Sequence, residues 1–382
     1  MRARAFAGMR VGTLFTLFAL LAFPPLVACG ARTGFDFLGA PAPDAGGAPE
    51  GDASPAEASG PPAPCGTVPS TLASAQMDPV GIAVDATRVY WTTQPLGEPT
   101  LGGVYEVPIG AGQVGPTTLA ENQGYPLAVV VDGTTVYWTD QWNGNVSETP
   151  LGGGAVKVLV PGLGQNGPGF LAVDATSVYW VNFGSDDGPS GSIAKMPLTG
   201  GAQQTLATGQ AQPWQIAIDS DFVYWIDIQE NDDGGGSVMR ARKDGHGSPT
   251  TLASGQHLPE ALALDADTVY FTNGGTHAGN FIDGAVLSVP KAGGAVTTLA
   301  AGEQSALGVA TDGSDVFWVD SNTRSGDGTV RKVAKGGGTP TTLASAQQSP
   351  GAIAVDAQCV YWLNAGSGAS SEEDGAVMMV AR

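Results

Sequence analysis

Two of the three histidines in this 382-residue chain, His257 and His277, flank Glu260 in the sequence. Two imidazoles and a carboxylate can hold a divalent ion or pass a proton, so His257, Glu260 and His277 form the catalytic candidate. A second group is aromatic: Tyr125, Trp142 and Trp214 offer flat apolar contact of the kind that receives a sugar ring or a peptide. Glu303 joins them as a charged ligand-binding candidate. Acidic stretches at Asp186-Asp187, Glu230 to Asp233, Asp327 and Glu372 to Asp374 have oxygens suited to Ca²⁺ or Mg²⁺. Their spacing fits no EF-hand, and solvated turns are the simpler reading, so no cofactor is expected and no metal ligand set is assigned. No Walker loop, nucleophile elbow or HExxH motif occurs, which leaves a Ser or Cys nucleophile without support.

These residues sit between copies of a repeat. VDATRVYW at Val84, VDGTTVYW at Val131, VDATSVYW at Val173, IDSDFVYW at Ile218, LDADTVYF at Leu264, TDGSDVFW at Thr311 and VDAQCVYW at Val355 recur every 42–47 residues. That period belongs to four-stranded propeller blades. Each unit divides into an apolar run ending in Asp, a Val-Tyr-Trp run, a Gly-led strand such as Gly284 to Pro290 and a short Thr-Thr-Leu-Ala strand. The last copy stops after its third strand, and the missing Thr-Leu-Ala strand lies at Ser70 to Ala73. The expectation is an all-β, seven-bladed propeller of four-stranded antiparallel blades, closed by an N-terminal strand that completes the last blade.

A residue type present in every blade serves a need that every blade has. Trp91, Trp138, Trp180, Trp225, Phe271, Trp318 and Trp362 are expected to fill the wedge between sheets. Nine residues before each Asp stand Gln76, Gln123, Gln165, Gln210, Gln256, Glu303 and Gln347, where an amide can bridge blade to blade. Glu303 alone changes the charge of that ring. Antiparallel pairing puts the loops between second and third strands on one face with the blade-to-blade links, and the variable residues concentrate there.

YWTD at Tyr137 to Asp140, with Val238-Met-Arg-Ala-Arg-Lys-Asp-Gly245 in the fourth blade, resembles the YWTD (low-density-lipoprotein-receptor class B) propellers. The likeness covers residues 70–382 at the level of the repeat and implies the fold, although that family usually has six blades. Seven-bladed lyases of the virginiamycin B lyase type are similar in fold and in carrying His and Glu with a metal on such a surface. That likeness implies the alternative activity for His257, Glu260 and His277.

The ends give an address. Arg2, Arg4 and Arg10 precede a run from Val11 to Phe23 that is almost wholly apolar and too short to span a bilayer with ease. Leu26-Val27-Ala28-Cys29 resembles the lipobox of bacterial lipoproteins, which implies lipidation of Cys29. Residues 1–28 read as a lipoprotein signal peptide, 29–64 as a disordered Pro/Ala/Gly-rich tether and 65–382 as the propeller. A flexible coil of about 35 residues reaches on the order of 30–35 Å from the membrane. The formal charge is −20, becoming −23 without residues 1–28, which argues against nucleic acid and leaves the lipid anchor as the sole membrane contact. Cys65 and Cys359 remain in an oxidising compartment, where a disulfide is expected, although they start roughly 10 Å apart before the tail folds back.

The sequence thus reads as a cell-envelope lipoprotein of the outer membrane, periplasmic or surface-facing. It is expected to be a monomer that binds a protein, peptide or glycan on its variable-loop face, with a metal-dependent lyase as the alternative.

Overall fold

The computed structural model describes residues 65–382, apart from 96, 97, 99, 111–114, 164–166, 185–187, 229–233, 277–280, 322–325 and 367–373. Cys29, the signal segment, the tether, Gln165 and His277 lie outside the described residues, as do all of the acidic loop positions except Asp327 and Asp374.

Seven four-stranded antiparallel sheets form the ring. In blade 1 the strands run from the inside outward as Pro79–Val84, Arg88–Thr93, Gly102–Pro108 and Thr117–Gln123. The closing sheet joins Ser70–Gln76 to Gly375–Ala381, Cys359–Asn364 and Pro350–Val355. The first described strand therefore completes the last blade, and the ring has no free edge between its ends. Cys65 and Cys359 form a disulfide with a Cα–Cα distance of 6.1 Å. The tail does fold back: Ala381 N donates to Gly66 O at 2.8 Å, which brings the two half-cystines together.

All six tryptophans of the repeat are fully buried, as is Phe271. Large rings packed within the ring of sheets exclude water and make close dispersion contacts. The repeated Asp serves the turn between first and second strands. Asp85 Oδ1 accepts from Thr87 N at 2.6 Å and Arg88 N at 2.8 Å, and its Oδ2 accepts from Tyr90 OH at 2.8 Å. The Oδ1 pattern recurs at Asp132, Asp174, Asp219, Asp265, Asp312 and Asp356. Such Asx turns satisfy backbone donors that a tight hairpin would otherwise strand.

The same acids also tie blades together. Lys243 Nζ reaches Asp174 Oδ2 at 2.5 Å, Lys291 reaches Asp219 at 3.0 Å and Lys335 reaches Asp265 at 2.9 Å, while Arg382 bonds Asp312. Burial on its own would raise the Asp174 carboxyl, but the Lys243 ammonium and the Thr176 and Tyr179 donors outweigh it and bring it down to about 2. Ile109, Leu151 and Leu198 occupy the corresponding place in blades 1, 2 and 3, so the cationic belt covers four of the seven junctions.

Candidate functional site

On the opposite face, six of the seven links between blades turn through a residue with positive φ. Asp78, Tyr125, Gln212, Leu258, Ser305 and Ser349 have φ of 42–57°. The conformation of Tyr125 is therefore a property of the scaffold and carries no functional message.

Gln76, Gln123, Gln256 and Gln347 bridge blades, whereas Trp180 and Trp225 donate within their own blades to Asn182 and Asp227. Trp91 Nε1 donates to Gln76 Oε1 at 2.9 Å, Trp138 to Gln123 at 2.9 Å and Trp362 to Gln347 at 3.0 Å, in each case from one blade to the outer strand of the blade before. The Gln76 amide nitrogen turns back to Ser74 O at 2.8 Å, so both ends of the amide are used. In blade 5, Phe271 has no N–H, and Asn273 Nδ2 donates to Gln256 instead at 3.1 Å.

Tyr125 and Trp142 come together, with ring centroids 6.2 Å apart and planes at 78°. Trp142 is 50% exposed, although its backbone is firmly held: Trp142 N donates to Gly124 O at 2.9 Å. Beneath it, Asp140 accepts from Gly124 N, Asn143 N and Asn143 Nδ2, all at 2.9 Å. A Cβ on Gly124 would come within 2.4 Å of Asp140 Oδ1, so the knot requires glycine there. Trp214 is not part of this patch. It stacks on Phe183 at 5.0 Å and meets Phe170 edge-on at 5.1 Å, packed against the main core cluster.

His257 is exposed at the end of the blade 4–5 link, and Glu260 is half-buried near Gly274, where an added Cβ would lie 3.1 Å from Glu260 Oε1. Asp283 is a neighbour that the sequence did not single out. Burial raises its carboxyl, but hydrogen bonds from Thr276 outweigh this, and the His257 charge lowers it further. Among the described residues, no group of three His, Cys, Asp or Glu side chains is placed to hold a metal ion.

Glu303 opens on a cavity of about 190 Å³ between blades 5 and 6, lined also by Gln304, Asp320, Asp327, Thr329 and Arg331. Its Oε2 accepts from Trp318 Nε1 at 3.1 Å and from Arg331 Nη1 at 2.5 Å. Thr329 Oγ1 donates to Asp320 Oδ2 at 3.2 Å, and the Arg331 guanidinium lies 5.5 Å from the Trp318 ring centroid. Burial, and after it the adjoining Glu303 carboxylate, holds Asp320 well above the usual carboxylate range. Among the described residues, Asp320 Oδ1, Ser321 Oγ and Arg331 Nε are buried without a hydrogen-bond partner. Arg331 was missed from the sequence, yet alignment of the third strands would have shown it. The residue paired with the repeat aromatic is Tyr105, Ser147, Ala194, Met239, Leu287 and Met378 in the other blades, and only Arg331 is charged.

No protein-family model matches this chain, and no curated protein matches it. A solved structure of streptogramin B lyase superposes with a TM-score of 0.61 at 11% identity, covering 82% of this chain and 97% of that one. Virginiamycin B lyase from Staphylococcus aureus gives 0.59 at 12% identity, covering 82% and 98%. The fold is a seven-bladed β-propeller. A chain of a nidogen/laminin complex superposes at 0.47 with 20% identity over 62% of this chain and 87% of that one, too loosely to carry an inference. At these identities the likeness extends to the fold alone.

Proposed function

We propose that this chain is an exported, lipid-anchored and monomeric propeller that binds a protein, peptide or glycan on its loop face, with Trp142 and Tyr125 at the contact. The observation that carries this reading is the half-exposed Trp142 ring held in water by the Asp140, Asn143 and Gly124 knot. An apolar ring on a rigid backbone loses little entropy on binding, and so makes an effective anchor. Net acidity, the lipobox-like Leu26 to Cys29 and the Pro/Ala/Gly-rich composition of 30–64 support display of that face away from a membrane. A metal-dependent lyase centred on His257, Glu260 and His277 is the second reading. In its favour, His257 acts electrostatically on Asp283, and Glu260 stands in the strand Pro259–Leu264 that follows His257.

The test is a glycan and peptide array probed with the full-length protein, followed by titration of the strongest ligand. Trp142→Ala should weaken that ligand by tenfold or more, equivalent to about 1.4 kcal/mol. Wild-type affinity in Trp142→Ala would overturn the aromatic site. If the best ligand is instead turned over, with turnover lost in His257→Ala and kept in Trp142→Ala, the lyase reading replaces the binding one.

A further inference from the structure

The cleft between blades 5 and 6 departs from the repeat in a coordinated way. Where the other blades place Gln and an uncharged third-strand residue, this junction places Glu303 and Arg331 together, beside Asp320 at a position that also holds Asp in Asp140 and Asp227. Nothing in the fold demands the change, because Gln347 and Asn364 satisfy the same tryptophan donor without charge in the next junction. Burying carboxyl and guanidinium groups is costly unless each is fully paired. Here the pairing is incomplete, since Asp320, only 5% exposed, keeps Oδ1 without a partner among the described residues. Among the described residues, the cavity in front of them is lined by three carboxyl groups, Glu303, Asp320 and Asp327, against one guanidinium.

We propose that this cleft is a binding subsite for a protonated amine, the ammonium group of a lysyl side chain or of a free amine. An ammonium carries three N–H donors and one positive charge, and the lining offers carboxylate, hydroxyl and amide oxygens to receive them. About 190 Å³ accommodates that group with the first carbons of its stem but not a drug-sized molecule. A bare divalent ion fits less well, because no three carboxylates among the described residues converge on one point. The site lies on the loop face but does not depend on the aromatic patch between blades 1 and 2.

Titration calorimetry on the full-length protein tests this with cadaverine, Nα-acetyl-lysine methylamide, its uncharged norleucine counterpart and calcium chloride. The charged probes should bind and the norleucine amide should not. Binding of cadaverine alone assigns a free amine, and binding of the lysine amide assigns a lysyl residue. Glu303→Gln restores the residue found in the other blades and so preserves the indole acceptor; it should weaken binding at least tenfold. Asp327→Asn, at the exposed rim, provides a second variant and should weaken binding severalfold. Trp142→Ala should leave amine binding unchanged, which separates this site from the aromatic one. Equal affinity for the norleucine amide, wild-type binding in both acid variants, or calcium saturating the site while the amines do not would overturn the proposal.

Discussion

The junction between blades 6 and 7 and the junction between blades 5 and 6 share one frame and differ in charge. In the first, Gln347 Oε1 accepts from Trp362 Nε1 and from Asn364 Nδ2, both at 3.0 Å, and Met378 stands opposite the ring. In the second, Glu303, Asp320 and Arg331 occupy those places around Trp318. The neutral version satisfies the indole and the amide with dipoles alone. The charged version must desolvate two carboxyls and a guanidinium, and leaves Asp320 Oδ1 and Arg331 Nε unpartnered among the described residues. Comparison of the two shows what a blade junction needs, and everything beyond that need is available for another task.

Removing the cation breaks the comparison most severely. Arg331→Met, which copies Met378, leaves Glu303 buried with no counter-charge and should cost about 3–5 kcal/mol in chemical denaturation. Adding Glu303→Gln to that variant should bring stability back to within about 1 kcal/mol of the starting protein. Failure of this rescue would show that Arg331 acts through packing.

Asp227 in blade 4 is an intermediate case, an acid at the place of Asn364 with no arginine beside it. Burial raises its carboxyl to about 7, although Trp225 and the backbone of Ala211 donate to it. The folded state therefore keeps a proton that the unfolded chain sheds, so stability falls as pH rises from about 4 to 7 and levels off above. Asp227→Asn should remove that slope, adding about 2–4 kcal/mol at pH 8 and nothing at pH 4, as read from melting temperatures across pH. Equal gains at both pH values would contradict the assignment. The smallest effect is the converse graft: Gln347→Glu places an acid in the neutral junction and should destabilise it by about 1–3 kcal/mol at pH 8, less at low pH where the acid takes up a proton.

Much of this was legible because the chain repeats itself. The spacing of the Asp and Trp positions gave the blade count, and the orphaned strand at Ser70 gave the closure. The glutamine bridge could be anticipated from the two-ended chemistry of an amide. Site residues were harder to read. Trp142 and Trp214 look alike as off-pattern tryptophans, yet one is half-exposed and the other is stacked on Phe183, because only the path of the links decides which ring finds a neighbour. Arg331 and Asp320 reach Glu303 across three strands of two blades, a convergence that depends on register and blade order.

Sequence by itself determined the architecture, since a periodic pattern of small, apolar and turn residues has one way to bury itself repeatedly, and the ends complement each other in a single blade. Tertiary structure decided the rest. It brought Cys65 to within 6.1 Å of Cys359 through the returning tail, drew lysines onto the Asp turns of the preceding blade, and gathered three carboxyl groups and a guanidinium around one cavity. Those outcomes turn on distances between residues far apart in the chain, and such distances follow from packing the whole ring.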